Sequence, residues 1–90
     1  MDLADVQRAC EEARKVLSHY RGDVEPQPLQ NGGSEASHVF WMLITIPIFM
    51  REGRTEKAMR WLGFVQGFLW ARGMATIDEM KAANRPRDAA

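Results

Sequence analysis

The spacing of apolar side chains divides the chain into four segments. From Asp2 to about Tyr20 the apolar positions Leu3, Val6, Cys10, Ala13, Leu17 and Tyr20 alternate steps of three and four, which is one stripe of an amphipathic helix. Asp2 is placed to cap its free amides, Asp5 suits the positive end of its dipole, and Arg14, Lys15 and His19 lie towards the negative end. Residues 21–34 then carry Gly22, Pro26, Pro28, Asn31, Gly32 and Gly33, which cannot sustain a helix and predict a linker. A linker of this length leaves the first helix room to reposition or to swap between protomers.

Ser34, followed by Glu35, begins a second helix over 35–51, apolar from Val39 to Met50 except at Thr45 and Pro47. Its twelve-residue apolar run is short of the about twenty residues a bilayer span requires, so a buried helix is expected. The β-branched Val39, Ile44, Thr45, Ile46 and Ile48 keep a strand open as the alternative. Pro47 removes a backbone donor and predicts a bend or an early end. After the polar connection Arg51-Glu52-Gly53-Arg54, a third helix is predicted over 55–72.

In that third helix, Met59, Trp61, Leu62, Phe64, Val65, Phe68, Leu69 and Trp70 point in nearly every direction. A helix apolar all round has to be covered all round, and two flanking helices cover about two-thirds of it. The remainder predicts a homodimer or higher oligomer. Gly63, Gly67 and Ala71 recur every four residues along one line, where absent side chains let a neighbouring helix come close. Trp61, Gly63, Phe64, Gly67, Phe68, Trp70 and Ala71 are therefore the expected packing and oligomer surface. Gly73 ends the helix, Thr76 and Glu79 have capping-box spacing, and a short fourth helix is predicted over 76–84, stopped by Pro86 ahead of a tail at 85–90. The fold class is all-α: one domain over residues 1–90, a small bundle of three main helices and a short C-terminal one.

Composition changes the picture mainly by exclusion. Ninety residues allow one modest core, burying about 60–65% of the surface of the unfolded chain, so oligomerisation is a natural source of added stability. A hydrophobic fraction of 46% and a charged fraction of 27% are those of a folded protein. Twelve basic and twelve acidic residues leave no net charge, and hence no global field to attract nucleic acid or anionic membranes. The single Cys10 excludes an internal disulfide framework and suits a reducing compartment. The acidic start Met1-Asp2-Leu3-Ala4-Asp5 is unlike an export signal, so a cytoplasmic protein is expected.

No catalytic residue emerges. Cys10 lies on the apolar stripe of a helix, and neither it nor Ser18, Ser34 or Ser37 falls in a strand-turn-helix elbow. His19 and His38 have no second histidine at helical metal-pair spacing, and Glu35, three before His38, is one ligand where three or four are needed. Glu11 and Glu12 diverge by about 100° on a helix and form no acid and base pair. Asn31-Gly32-Gly33 lacks the strand and the lysine of a phosphate loop, so neither metal nor cofactor is implied.

One basic cluster stands out. Arg51, Arg54, Lys57 and Arg60 recur at steps of three around the second connection, and residues 41–90 carry eight basic and five acidic groups against four and seven in residues 1–40. A helix N-terminus lined by cations suits a phosphate. The plainer reading is a solvated face paired with Glu52 and Glu56. Trp41, Trp61 and Trp70 pose a similar choice between core and partner contact, and three tryptophans exceed what so small a core requires.

The stretches Ser37-His38-Val39-Phe40-Trp41-Met42, Gly53 to Gly67, Leu69-Trp70 and Thr76-Ile77-Asp78-Glu79-Met80-Lys81 resemble small uncharacterised proteins of tailed phages and prophages. The resemblance covers about residues 36–86, and Arg60-Trp61-Leu62-Gly63-Phe64-Val65-Gln66-Gly67 is its most specific block. It implies a phage accessory protein acting inside a bacterial host, a class that often binds a host protein or adjusts a host defence. The leading expectation is a non-enzymatic helical oligomer that binds itself and a host protein. The alternative is sequestration of an anionic nucleotide, with Arg51, Arg54, Lys57 and Arg60 on phosphate and a tryptophan on the base. A DNA-binding regulator is the third, disfavoured by the neutral charge and by a third helix that is apolar where a recognition helix is polar.

Overall fold

A computed structural model describes residues 1–22, 24–28 and 34–85, and among them every regular element is a helix. These are α1 (Leu3–Arg21), α2 (Glu35–Arg51), α3 (Thr55–Ala71) and α4 (Ile77–Asn84). The predicted all-α bundle of three main helices and a short fourth is the observed fold. Asn31, Gly32 and Gly33 of the predicted linker, the Pro86 stop and all of the predicted tail except Arg85 lie outside the described residues.

The helix starts follow from their caps. The Asp2 side chain accepts from the Asp5 amide and Asp5 accepts from the Asp2 amide, and Thr76 and Glu79 repeat this reciprocal box at α4. Ser34 caps α2 through the Ser37 amide at 3.1 Å. The ends of α2 and α3 share one device. Gly53 and Gly73 take left-handed φ of 77° and 71°, and at each the glycine's own amide and the next one fold back onto the last turn. Arg54 N donates to Phe49 O and Gly53 N to Met50 O, while Met74 N donates to Leu69 O and Gly73 N to Trp70 O.

Two expectations meet the structure differently. Pro47, expected to bend α2 or end it early, does not end it: the helix runs to Arg51, as the predicted span 35–51 has it. The turn beyond Pro47 buries Phe49, and that packing, next to the buried Ile46, outweighs the about 3 kcal/mol of an interior proline. Tyr20 was assigned to the buried stripe of α1 but is exposed, its ring edge-on to His19, because the core contact of α1 ends at Leu17. The described part of the linker is docked: Gln27 N donates to Ser37 O at 3.1 Å and Val24 packs on the core.

α2 and α3 form a hairpin through Glu52–Arg54, and α1 packs against both. The core joins Val6, Ala9, Ala13 and Leu17 of α1, Val39, Leu43, Ile46 and Phe49 of α2, and Ala58, Leu62, Val65 and Leu69 of α3. α4 buries no residue fully and rests on α1. The smallest extent of the molecule is 18 Å, which is two helix layers. Among the described residues no third layer covers the far side of α3.

Candidate functional site

The outer face of α3 is where the structure leaves most unpaired. Leu62, Val65 and Leu69 turn inward, while Arg60, Gly63, Phe64, Gly67, Trp70 and Ala71 are exposed. Phe64 is 61% exposed and Trp70 55%. At about 100° per residue these two rings stand on opposite shoulders of the glycine line, roughly 60° to either side. A Cβ added at Gly63 or at Gly67 would meet nothing within 4 Å. Among the described residues the close approach expected of these glycines is therefore absent, and each still carries the about 1 kcal/mol helix penalty of a glycine. Ile44 and Ile48 on α2 are also exposed, so the α2–α3 hairpin holds most of the large apolar side chains open to solvent.

The other two tryptophans are spent internally. Trp41 and Trp61 pack at 5.5 Å, His38 stacks on Trp41 at 5.6 Å, and Phe49 meets Trp61 edge-on at 4.7 Å. Phe68 is half-buried on the same side of α3, beneath the guanidinium of Arg72, which also pairs with Glu35. Of the predicted interface set, Trp61 and Phe68 thus serve the hairpin, and Gly63, Phe64, Gly67, Trp70 and Ala71 remain available.

The basic cluster is split. Arg51 turns towards α1 and lines a groove of about 530 Å³ with Arg8, Arg14 and Ile44. Arg54, Lys57 and Arg60 line a separate shallow depression of about 390 Å³ at the start of α3. There Arg54 and Lys57 each lie 4.8 Å from the centre of the Phe49 ring, Lys57 is 5.5 Å from that of Trp61, and Arg54 also pairs with Glu52 at 3.6 Å. Both cations therefore cover aromatic surface. Arg60 and Arg51 have no ion pair among the described residues. α3 is also the one described helix that starts without a side-chain cap, with Arg54 at that position.

Two features escaped the sequence reading. Gln66 and Asn84 exchange a pair of amide hydrogen bonds, 2.6 and 2.8 Å, that tie α4 to α3, and Arg8 donates to the carbonyl of Arg85 beside them. The only sequence signal was a lone polar residue inside an apolar run. Next to this clamp lies a cleft of about 430 Å³ walled by Ala9, Ala13, Val16, Leu69 and Met80. Cys10 is buried, as its place on the apolar stripe predicts, and loss of hydration pushes its thiol up to about 12. Among the described residues no three metal-binding side chains gather, and no helix is long and apolar enough to cross a membrane.

No protein-family model, curated protein or solved structure matches the chain.

Proposed function

We propose that this chain is a non-enzymatic interaction protein that works through the outer face of its α2–α3 hairpin, binding itself and a host protein as a phage or prophage accessory factor in the bacterial cytoplasm. The observation that carries the reading is the pair of exposed rings, Phe64 and Trp70, flanking a glycine line that none of the described residues covers. Exposed aromatic anchors beside a flat backbone strip are what a protein partner buries most favourably. Native mass spectrometry of the protein purified gently from its producing cells tests it. A multimer at bare polypeptide mass is expected, shifting to monomer in Trp70→Glu. A monomer of bare mass at every concentration, with no captured protein lost in Trp70→Glu, would sink the reading.

A second reading, sequestration of an anionic nucleotide, draws on the uncapped start of α3. Its free amides, with Arg60 unpaired and Arg54 and Lys57 close by, suit a phosphate, and the neighbouring rings suit a base. Added nucleotide-sized mass in the same spectrum, lost in Arg60→Glu, would favour this reading over the first.

A further inference from the structure

We infer that α4 is a hinged strap: it swings away from α1 and α3 as one unit, pivoting at Thr76 and released when Gln66 and Asn84 part, and so uncovers an apolar bed that the closed molecule hides. It involves none of the residues exposed on the outer face of α3.

Length and burial come first. Eight residues are fewer than the about 12–15 at which an isolated helix becomes even marginally stable in water, so α4 depends on its docking. That docking is slight. Only Met80, Ala83 and Asn84 are half-buried, and the other residues of α4 stand in solvent. Beneath the helix the contact is unfilled, because the cleft of about 430 Å³ separates α4 from Ala9, Ala13, Val16 and Leu69. Small side chains across a gap supply few van der Waals contacts, so the middle of α4 is weakly held.

The two ends of α4 are held differently. Before it, Met74 and Ala75 are buried, and both amides donate to the Leu69 carbonyl, at 2.8 and 3.3 Å. Thr76 follows in an extended conformation, φ −86° and ψ 163°, and is the first residue past this anchor, where rotation moves α4 without disturbing Met74. The reciprocal cap of Thr76 and Glu79 is internal to the segment and travels with it. At the far end the latch is polar: Gln66 and Asn84 exchange two hydrogen bonds, and Arg8 donates to the carbonyl of Arg85. Water replaces all three bonds when α4 leaves, which makes their net contribution small. A weakly held middle between a fixed pivot and a water-exchangeable latch lets one element open below the free energy of global unfolding. Ala9, Ala13 and Leu69, almost wholly buried in the closed state, are the surface laid open.

Thiol labelling tests the strap. Ala13→Cys places a thiol under α4, while Cys10, three residues earlier on the same helix, lines the groove against α2 and serves as the internal control. Labelling at both positions is read by peptide mass in native buffer, with Ala13→Cys alone and combined with one further substitution. Asn84→Ala breaks the latch, and Ile46→Val loosens the core away from α4. Position 13 is expected to label about tenfold faster with Asn84→Ala and at an unchanged rate with Ile46→Val. Insensitivity of position 13 to Asn84→Ala would overturn the inference, since labelling would then need no release of the latch. Acceleration of position 13 by Ile46→Val, in step with Cys10, would overturn it as well, since α4 would then come away only with the whole core. Hydrogen exchange of the unmutated protein gives a second readout. The amides from Met80 to Asn84 are expected to exchange together and ahead of those of Leu62, Val65 and Leu69, and exchange at a common rate would count against the strap.

Discussion

The inner and outer faces of α3 carry comparable apolar content and behave oppositely. On the inner face Ala58, Leu62, Val65 and Leu69 are aliphatic, almost wholly buried and interdigitated with α1 and α2. On the outer face Gly63 and Gly67 present bare backbone, and Phe64 and Trp70 stand in solvent. Aliphatic side chains at helical spacing make a core with whatever lies behind them. Glycine between rings leaves a flat strip of backbone, and among the described residues nothing packs on it. Hydrophobicity alone does not separate the buried face from the exposed one; side-chain shape does.

The largest expected effect sharpens that contrast. Leu62, 1% exposed, should lose about 2–5 kcal/mol of stability as Leu62→Ala. Phe64→Ala should stay within about 0.5 kcal/mol under dilute conditions. Urea denaturation of the two variants at low concentration makes the comparison, and equal losses would break it. At the boundary between the faces, Asn84→Leu leaves the buried Gln66 amide without its partner and should remove about 1–3 kcal/mol, read as a lower thermal midpoint. The double variant Gln66→Leu with Asn84→Leu should recover part of that loss.

Smaller in size but opposite in sign, Gly63→Ala and Gly67→Ala should each stabilise the isolated monomer by up to about 1 kcal/mol, because helix propensity rises and the added methyl meets nothing. Their self-association should weaken at the same time, so monomer stability and dimer affinity move in opposite directions. The smallest effect lies far from both faces. A hydrogen bond from the Thr76 amide holds the Glu79 carboxyl below its ordinary value. A carboxyl lowered in the folded state contributes stability above its unfolded value and loses it as the pH falls through the lowered one. Glu79→Gln should therefore lower stability slightly near neutral pH, where the ionised carboxylate contributes in full, and flatten the acid limb of the stability curve.

Much of this was legible beforehand, and the exceptions have physical causes. Asp2, Ser34 and Thr76 were readable as caps because capping depends on a few adjacent residues. Gly73 was readable as a stop for the same reason. The division of the tryptophans was not. Trp41 and Trp61 lie twenty residues apart in sequence, and only the α2–α3 hairpin brings them to 5.5 Å. The basic cluster failed for a related reason. Arg51 closes α2 while Arg54 precedes α3, and the turn at Gly53 sends them to different grooves.

What the sequence by itself determined is local: helix count, helix ends and the inward stripe of α1, each set by backbone hydrogen bonding and the 3.6-residue period. The surplus of apolar surface on α3 was also countable in advance. Tertiary structure alone decided which part of that surface remains outside, because coverage depends on where α1, α2 and α4 lie around α3. It left the glycine line and Trp70 open and turned the branched aliphatics inward. The physical reason is that burial is a property of neighbours in space, and a one-dimensional pattern specifies how much must be buried before it specifies against what.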